Sequence, residues 1–99
     1  MDVLHFLNGQ PFEWDETKAE DNLANHGISF ETACEVFFDP FVESVGASRA
    51  SEFRLAAIGM ASGFRLLFVV HVERNGDIIR IISARKATPH ERRAHEEDE

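Results

Sequence analysis

Tyrosine is absent from the 99-residue sequence, cysteine and tryptophan occur once each, and proline occurs three times. A lone cysteine, Cys34, closes no internal disulfide. Without a Cys-x-x-Cys pair there is neither a zinc knuckle nor a dithiol redox motif. No apolar run approaches the ~18 residues of a membrane-spanning helix. The N-terminus has no basic flank ahead of a long apolar stretch, so no secretory leader is expected and the cytoplasm is the expected location. His90 and His95 are five positions apart and do not share a helix face, so no metal site and no cofactor is expected. Cations are scarce as well. Ten Lys and Arg against 18 Asp and Glu leave a net charge of −8, unlike an ordinary nucleic-acid binder.

What remains is a globular composition, with 43% hydrophobic and 28% charged residues, and a length with room for one domain. We expect that domain to span residues 1–99, with 1–11 as an N-terminal extension and 96–99 as an acidic tail. The charges are unevenly placed. Residues 1–52 carry eleven acids and two bases, whereas residues 53–95 carry three acids and eight bases. A basic second half behind an acidic first half implies a local anion-facing surface.

Gly and Pro punctuate the chain into short elements. Val3–Phe6 and Phe12–Trp14 flank Asn8-Gly9, a hairpin-type turn signal. Asp15 suits an N-cap, Glu16 to about Asn25 reads as a helix, and Gly27 is its expected left-handed stop. Ser29 caps a second helix with Phe30, Ala33, Cys34 and Phe37 on one face, ended by Asp39-Pro40. Beyond it the apolar pattern alternates. Phe41–Val45 reads as a short strand before a polar Gly46–Ser51 loop, and Phe53–Gly59, Phe64–Glu73 and Asp77–Ala84 read as three longer strands. Thr88-Pro89-His90-Glu91 spells a capping box for a last helix that has little apolar surface. The fold expected is α+β: two N-terminal helices on an antiparallel sheet of about four strands, with a C-terminal helix.

A two-residue turn at Asn75-Gly76 places Arg74 opposite Asp77 and His71 opposite Arg80. A four-residue loop at Met60–Gly63 places Ile58 opposite Arg65. On that register one face gathers Phe53, Leu55, Ala57, Leu66, Phe68, Val70, Val72, Ile79 and Ile81 for the helices to cover. The other face gathers Arg54, Arg65, His71 and Arg80 among Ile58, Leu67, Val69 and Ile82. Like charges held so close repel unless an anion sits between them. A plainer reading has each arginine at a strand end, leaning its stem over apolar neighbours. By parity Arg85 falls on the helix-covered face, at the strand end beside Lys86.

The run Phe12-Glu13-Trp14-Asp15 with Lys18 and Asn22, then His26-Gly27-Ile28-Ser29-Phe30, resembles the start of BrnT-type toxins. Asp39-Pro40, Arg54 with Ile58-Gly59, the apolar Leu66–Val72 strand, Ile79-Arg80-Ile81-Ile82-Ser83-Ala84-Arg85, and Ala87 with Glu91 and Arg92 continue the likeness over about residues 12 to 96. The resemblance implies a RelE-like fold and a metal-independent ribonuclease that arrests translation. It also implies neutralisation by a BrnA-type antitoxin with a ribbon-helix-helix DNA-binding part, through which the pair represses its own operon. The family commonly has Lys before the His-Gly pair and Tyr after the Glu-Arg pair; Asn25 and His95 stand there instead.

Metal-free RNA cleavage takes a proton from the 2′-hydroxyl, neutralises charge on the phosphate and returns a proton to the leaving 5′-oxygen. Arginine forks suit the phosphate and a near-neutral histidine suits either proton transfer. The catalytic candidates are therefore Arg54, Arg65 and Arg80 with His71 or His95, and the RNA-binding candidates are Lys18, Arg85, Lys86 and Arg92. Each has a bland counterpart: His71 as a hydrogen-bonded sheet residue, His95 as an exposed helix residue, Lys18 as a partner for nearby carboxylates. Cys34 reads as core, and Trp14 as a staple ahead of the first helix. Two other functions compete. One is a catalytically weak homologue acting with its antitoxin as a DNA-bound module, and the other an enzyme on a small anionic metabolite.

Overall fold

A computed structural model describes residues 1–47, 53–74 and 76–97. Two strands come first, β1 (Asp2–Leu7) and β2 (Gln10–Asp15), paired antiparallel with Leu7 opposite Gln10. Asn8 and Gly9 turn them, both at positive φ, as a two-residue hairpin of this kind requires. Helix α1 (Glu16–His26) starts where the Asp15 carboxylate accepts the Lys18 N–H at 3.0 Å, and stops at Gly27 with φ +69°. Helix α2 (Phe30–Cys34) starts under the Ser29 hydroxyl and tightens into a 3-10 turn over Glu35–Phe38.

Strands β3 (Glu43–Gly46), β4 (Leu55–Ala61), β5 (Arg65–Arg74) and β6 (Ile78–Lys86) follow, and helix α3 (Pro89–Glu97) closes the chain. The α+β class holds, but the sheet has six strands in the order β1-β2-β6-β5-β4-β3 rather than about four. It is mixed rather than antiparallel. The N-terminal hairpin inserts beside the last strand, and β2 runs parallel to β6 with Glu13 opposite Arg80. The chain therefore opens with strands, not with its helices. The Gly46–Ser51 loop lies, from residue 48 onward, outside the described residues, as does Asn75 of the expected Asn75-Gly76 turn.

Register is where expectation and structure part. Only Ser62–Phe64 separates β4 from β5, with Ala61 opposite Arg65 and Ile58 opposite Phe68. At the next hairpin Arg74 lies opposite Ile78, and Val72 rather than His71 faces Arg80. Both slips are odd, and an odd slip exchanges the faces of a strand. Strand β5 is therefore inverted against both neighbours. Leu67, Val69 and His71 point to the helices, and Leu66, Phe68, Val70 and Val72 point to the opposite face.

A bulge follows between Val70/His71 on β5 and Ser83/Ile81 on β6, leaving Ile82 without an opposite number. It changes the parity of β6, so Ile81 and Ala84 both enter the core while Arg85 turns to the face of Phe68.

The core lies between the sheet and α1–α2. Phe12, Trp14, Ile28, Phe30, Ala33, Cys34, Val36, Ala57, Leu67, Val69 and Ile81 are buried in it. Trp14 meets Phe30 edge-on at 5.8 Å. Gly59 allows the 3-10 turn to approach, since a Cβ there would lie 2.7 Å from the Val36 carbonyl oxygen. Asn22, buried on α1, ties helix to sheet: its amide donates to Ile28 O and Ala84 O at 2.9 Å and accepts the Ala84 N–H at 3.1 Å. Helix α3 docks through polar contacts. Thr88 and Glu91 cap each other's N–H, Glu91 binds Arg85, and His95 reaches Asp39.

Candidate functional site

On the face away from α1 and α2, Arg54, the residue before β4, and Arg80 of β6 come to one cleft, with Val72 opposite Arg80. Lys18 from the first turns of α1 and Arg74 from the end of β5 join them. The four cations line a cleft of about 440 Å³ with Phe53, Val72, Glu73 and Ile82. A phosphate entering it meets guanidinium forks and apolar walls that reduce competing solvation.

Arg80 is held by two carboxylates. Its Nη1 donates to Glu13 Oε2 at 2.8 Å, and its Nη2 to Asp2 Oδ1 at 3.1 Å. Its hydrogen bonds to Asp2 and Glu13 raise its pKa above the ordinary arginine value, and the Arg80 guanidinium holds the Asp2 carboxyl below its usual range. Glu13 also lies 3.8 Å from Arg74. The N-terminal hairpin thus supplies two carboxylates to one edge of the cleft, and an incoming phosphate competes with them.

The remaining expected site residues lie elsewhere. His71 is in the core: its ring meets Phe37 edge-on at 4.8 Å, and Nδ1 lies 3.3 Å from the Val69 carbonyl. Burial pushes its pKa below 6.5. It does not share the arginine face, because of the slipped β5 register. His95 is not an exposed helix residue either. It is 2% exposed, with Nε2 3.1 Å from Asp39 Oδ2.

Arg65 starts β5 at the far end of the sheet, its Nε donating to Ser62 O at 3.1 Å, and lines a second cleft with Lys86 and Arg92. Arg85 lies over the Phe68 ring at 4.1 Å and makes a bidentate pair with Glu91 at 2.9 and 3.0 Å. The hydrogen bonds to Glu91 raise the Arg85 pKa and lower that of Glu91. Cys34 is a core residue whose thiol burial pushes up to about 12, which removes it as a nucleophile. Among the described residues no cluster of three or more His, Cys, Asp or Glu side chains is placed to hold a metal ion.

Sequence reasoning passed over Arg74 and the carboxylates of Asp2 and Glu13. The signal for Glu13 was its place two residues before a helix cap in a strand parallel to β6, which no local pattern reveals.

Residues 14–91 match the family model described as the ribonuclease toxin BrnT of a type II toxin–antitoxin system. The chain belongs to the BrnT family. Its fold is similar to the 1.1 Å crystal structure of the Brucella abortus ribonuclease toxin, BrnT, with a TM-score of 0.59 and 29% identity over 76% of this chain and 92% of that one. No curated protein sequence matches. A BrnT toxin of a type II system implies an antitoxin partner. Asp2 and Glu13, the carboxylates that hold Arg80, both precede the matched segment. Among the described residues no helix is long and apolar enough to cross a membrane.

Proposed function

We propose that the chain is a metal-independent endoribonuclease of the BrnT family, active in the cytoplasm on RNA and thereby on translation. We place its phosphate site in the cleft of Lys18, Arg54, Arg74 and Arg80. The observation that carries this reading is the convergence of four cations, from α1, the residue before β4, β5 and β6, on one cleft of an open sheet face. In the reaction the 2′-oxygen attacks phosphorus, the bond to the 5′-oxygen breaks, and a 2′,3′-cyclic phosphate and a 5′-hydroxyl result. The arginines stabilise the charge on the pentavalent phosphate. Among the described residues, the other titratable groups lining the cleft are Glu73 and Lys18. Glu73 takes the 2′-proton and Lys18 supplies one to the 5′-oxygen. His71 and His95 have no part in the proposed chemistry, being buried away from the cleft.

The antitoxin is a BrnA-like ribbon-helix-helix protein that covers the arginine face, and operator DNA is reached only through it. The test is RNA cleavage by the free protein with EDTA present. Cleavage that survives EDTA and disappears in Arg80→Ala supports the nuclease; no cleavage by the unmodified chain removes it. A second reading is favoured by one observation, that Arg80 already holds two carboxylates. On that reading the chain is a weak nuclease that acts with its antitoxin as a repressing module. An Arg80→Ala variant that keeps operator repression, from a parent without ribonuclease activity, supports it.

A further inference from the structure

Phe64 contributes nothing to the core. It is 90% exposed and sits at φ +56°, directly after Gly63 at φ +77°. A bulky side chain in the left-handed region carries backbone strain, and a phenyl ring in water forgoes burial; both costs point to a use outside folding. The ring borders a cleft of about 220 Å³ whose other walls are Arg65, Leu66, Lys86, Ala87 and Arg92.

Among the described residues no carboxylate lines that cleft, in contrast to the one around Arg80. Arg65 is oriented by its bond to Ser62 O, across the same three-residue turn that presents Phe64. Lys86 ends β6, and Arg92 comes from the first turns of α3.

We propose that Phe64 is a stacking platform for a base of single-stranded RNA, with Arg65, Lys86 and Arg92 holding the flanking phosphates. An aromatic face beside cations is the recognition chemistry of an unpaired strand. It tolerates any sequence, because every base offers a π-face. The site lies at the opposite end of the sheet from the Arg80 cleft, so it grips the strand at a distance from the scissile phosphate. This inference rests on the ribonuclease reading.

The experiment measures anisotropy of a fluorescent, uncleavable 2′-O-methyl oligouridylate across a salt series, with inorganic polyphosphate as a base-free competitor. Phe64→Ala weakens oligouridylate binding about tenfold, leaves the salt slope unchanged and leaves polyphosphate binding unchanged; Phe64→Trp restores affinity. Arg92→Ala lowers the salt slope by about one. Unchanged melting of the Phe64 variants shows that they fold. Oligouridylate binding equal to that of the parent in Phe64→Ala overturns the platform alone. The same result with a loosened antitoxin complex reassigns the ring to protein docking. If the unmodified chain binds no oligouridylate even at low salt, the ribonuclease reading falls with the platform.

Discussion

Glu13 Oε2 accepts from Arg80 Nη1 at 2.8 Å, across the parallel pair of β2 and β6. The ion pair is largely shielded, with side chains 17% and 19% exposed, and it fixes the guanidinium plane at the rim of the cleft. The same bond neutralises one of the four cations of the proposed phosphate site. Arg80→Ala is expected to reduce RNA binding at least tenfold, since a hydrogen bond to a charged group is worth about 1.5–3 kcal/mol. Asp2→Asn, by releasing one side of the fork, is expected to strengthen RNA binding at low salt. That gain disappears at high salt, where exposed charges are screened. Filter binding of labelled RNA at two ionic strengths reads both effects.

Buried His71 makes stability depend on pH. Its folded pKa lies below 6.5 because burial disfavours the charged ring, so the unfolded chain binds the proton more readily. The stabilisation is complete above the unfolded value and is lost as pH falls below about 6.5. Urea unfolding at pH 7.5 and 5.5 is expected to show lower stability at the acid value, and His71→Phe is expected to flatten that difference.

The pair of His95 and Asp39 responds at lower pH. Burial raises the Asp39 pKa, but the N–H groups of Phe41 and Met60 and the His95 ring outweigh it and hold the carboxyl below its ordinary range. Its stabilisation is present above the unfolded value near 3.8 and is lost as pH falls through the folded one. His95→Ala removes the contact that anchors the end of α3. It is expected to destabilise the fold by about 2 kcal/mol at neutral pH, measured by urea unfolding, with a smaller cost below pH ~4.

Asn22→Ala is expected to be more damaging than its helical position suggests. It strands the Ala84 N–H and two carbonyls inside the fold, at a cost of about 3 kcal/mol. Gly59→Ala is expected to cost about 2 kcal/mol by pushing Val36 away from β4. Thermal melts of the two variants check these values.

Features set by neighbouring residues were legible in the sequence. Asp15, Ser29 and the Thr88–Glu91 box cap helices where their spacing says they do, and Gly27 stops α1. The Asn8-Gly9 turn was legible too, but not that its strands would join the sheet beside β6. Arg54 and Arg80 were correctly placed on one face because two odd register errors cancel between β4 and β6. Arg65 and His71, on the strand between, were displaced by the same errors. Loop length and a bulge decide those parities, and both depend on packing that alternation alone does not encode.

The parallel contact between β2 and β6 joins residues 67 positions apart, Glu13 and Arg80. During synthesis, therefore, the arginine cleft does not exist while β6 is still inside the ribosome's exit tunnel. A nascent chain has no assembled form of the proposed phosphate site to turn on the machine that is making it, and that site forms only when the first hairpin and the last strand meet.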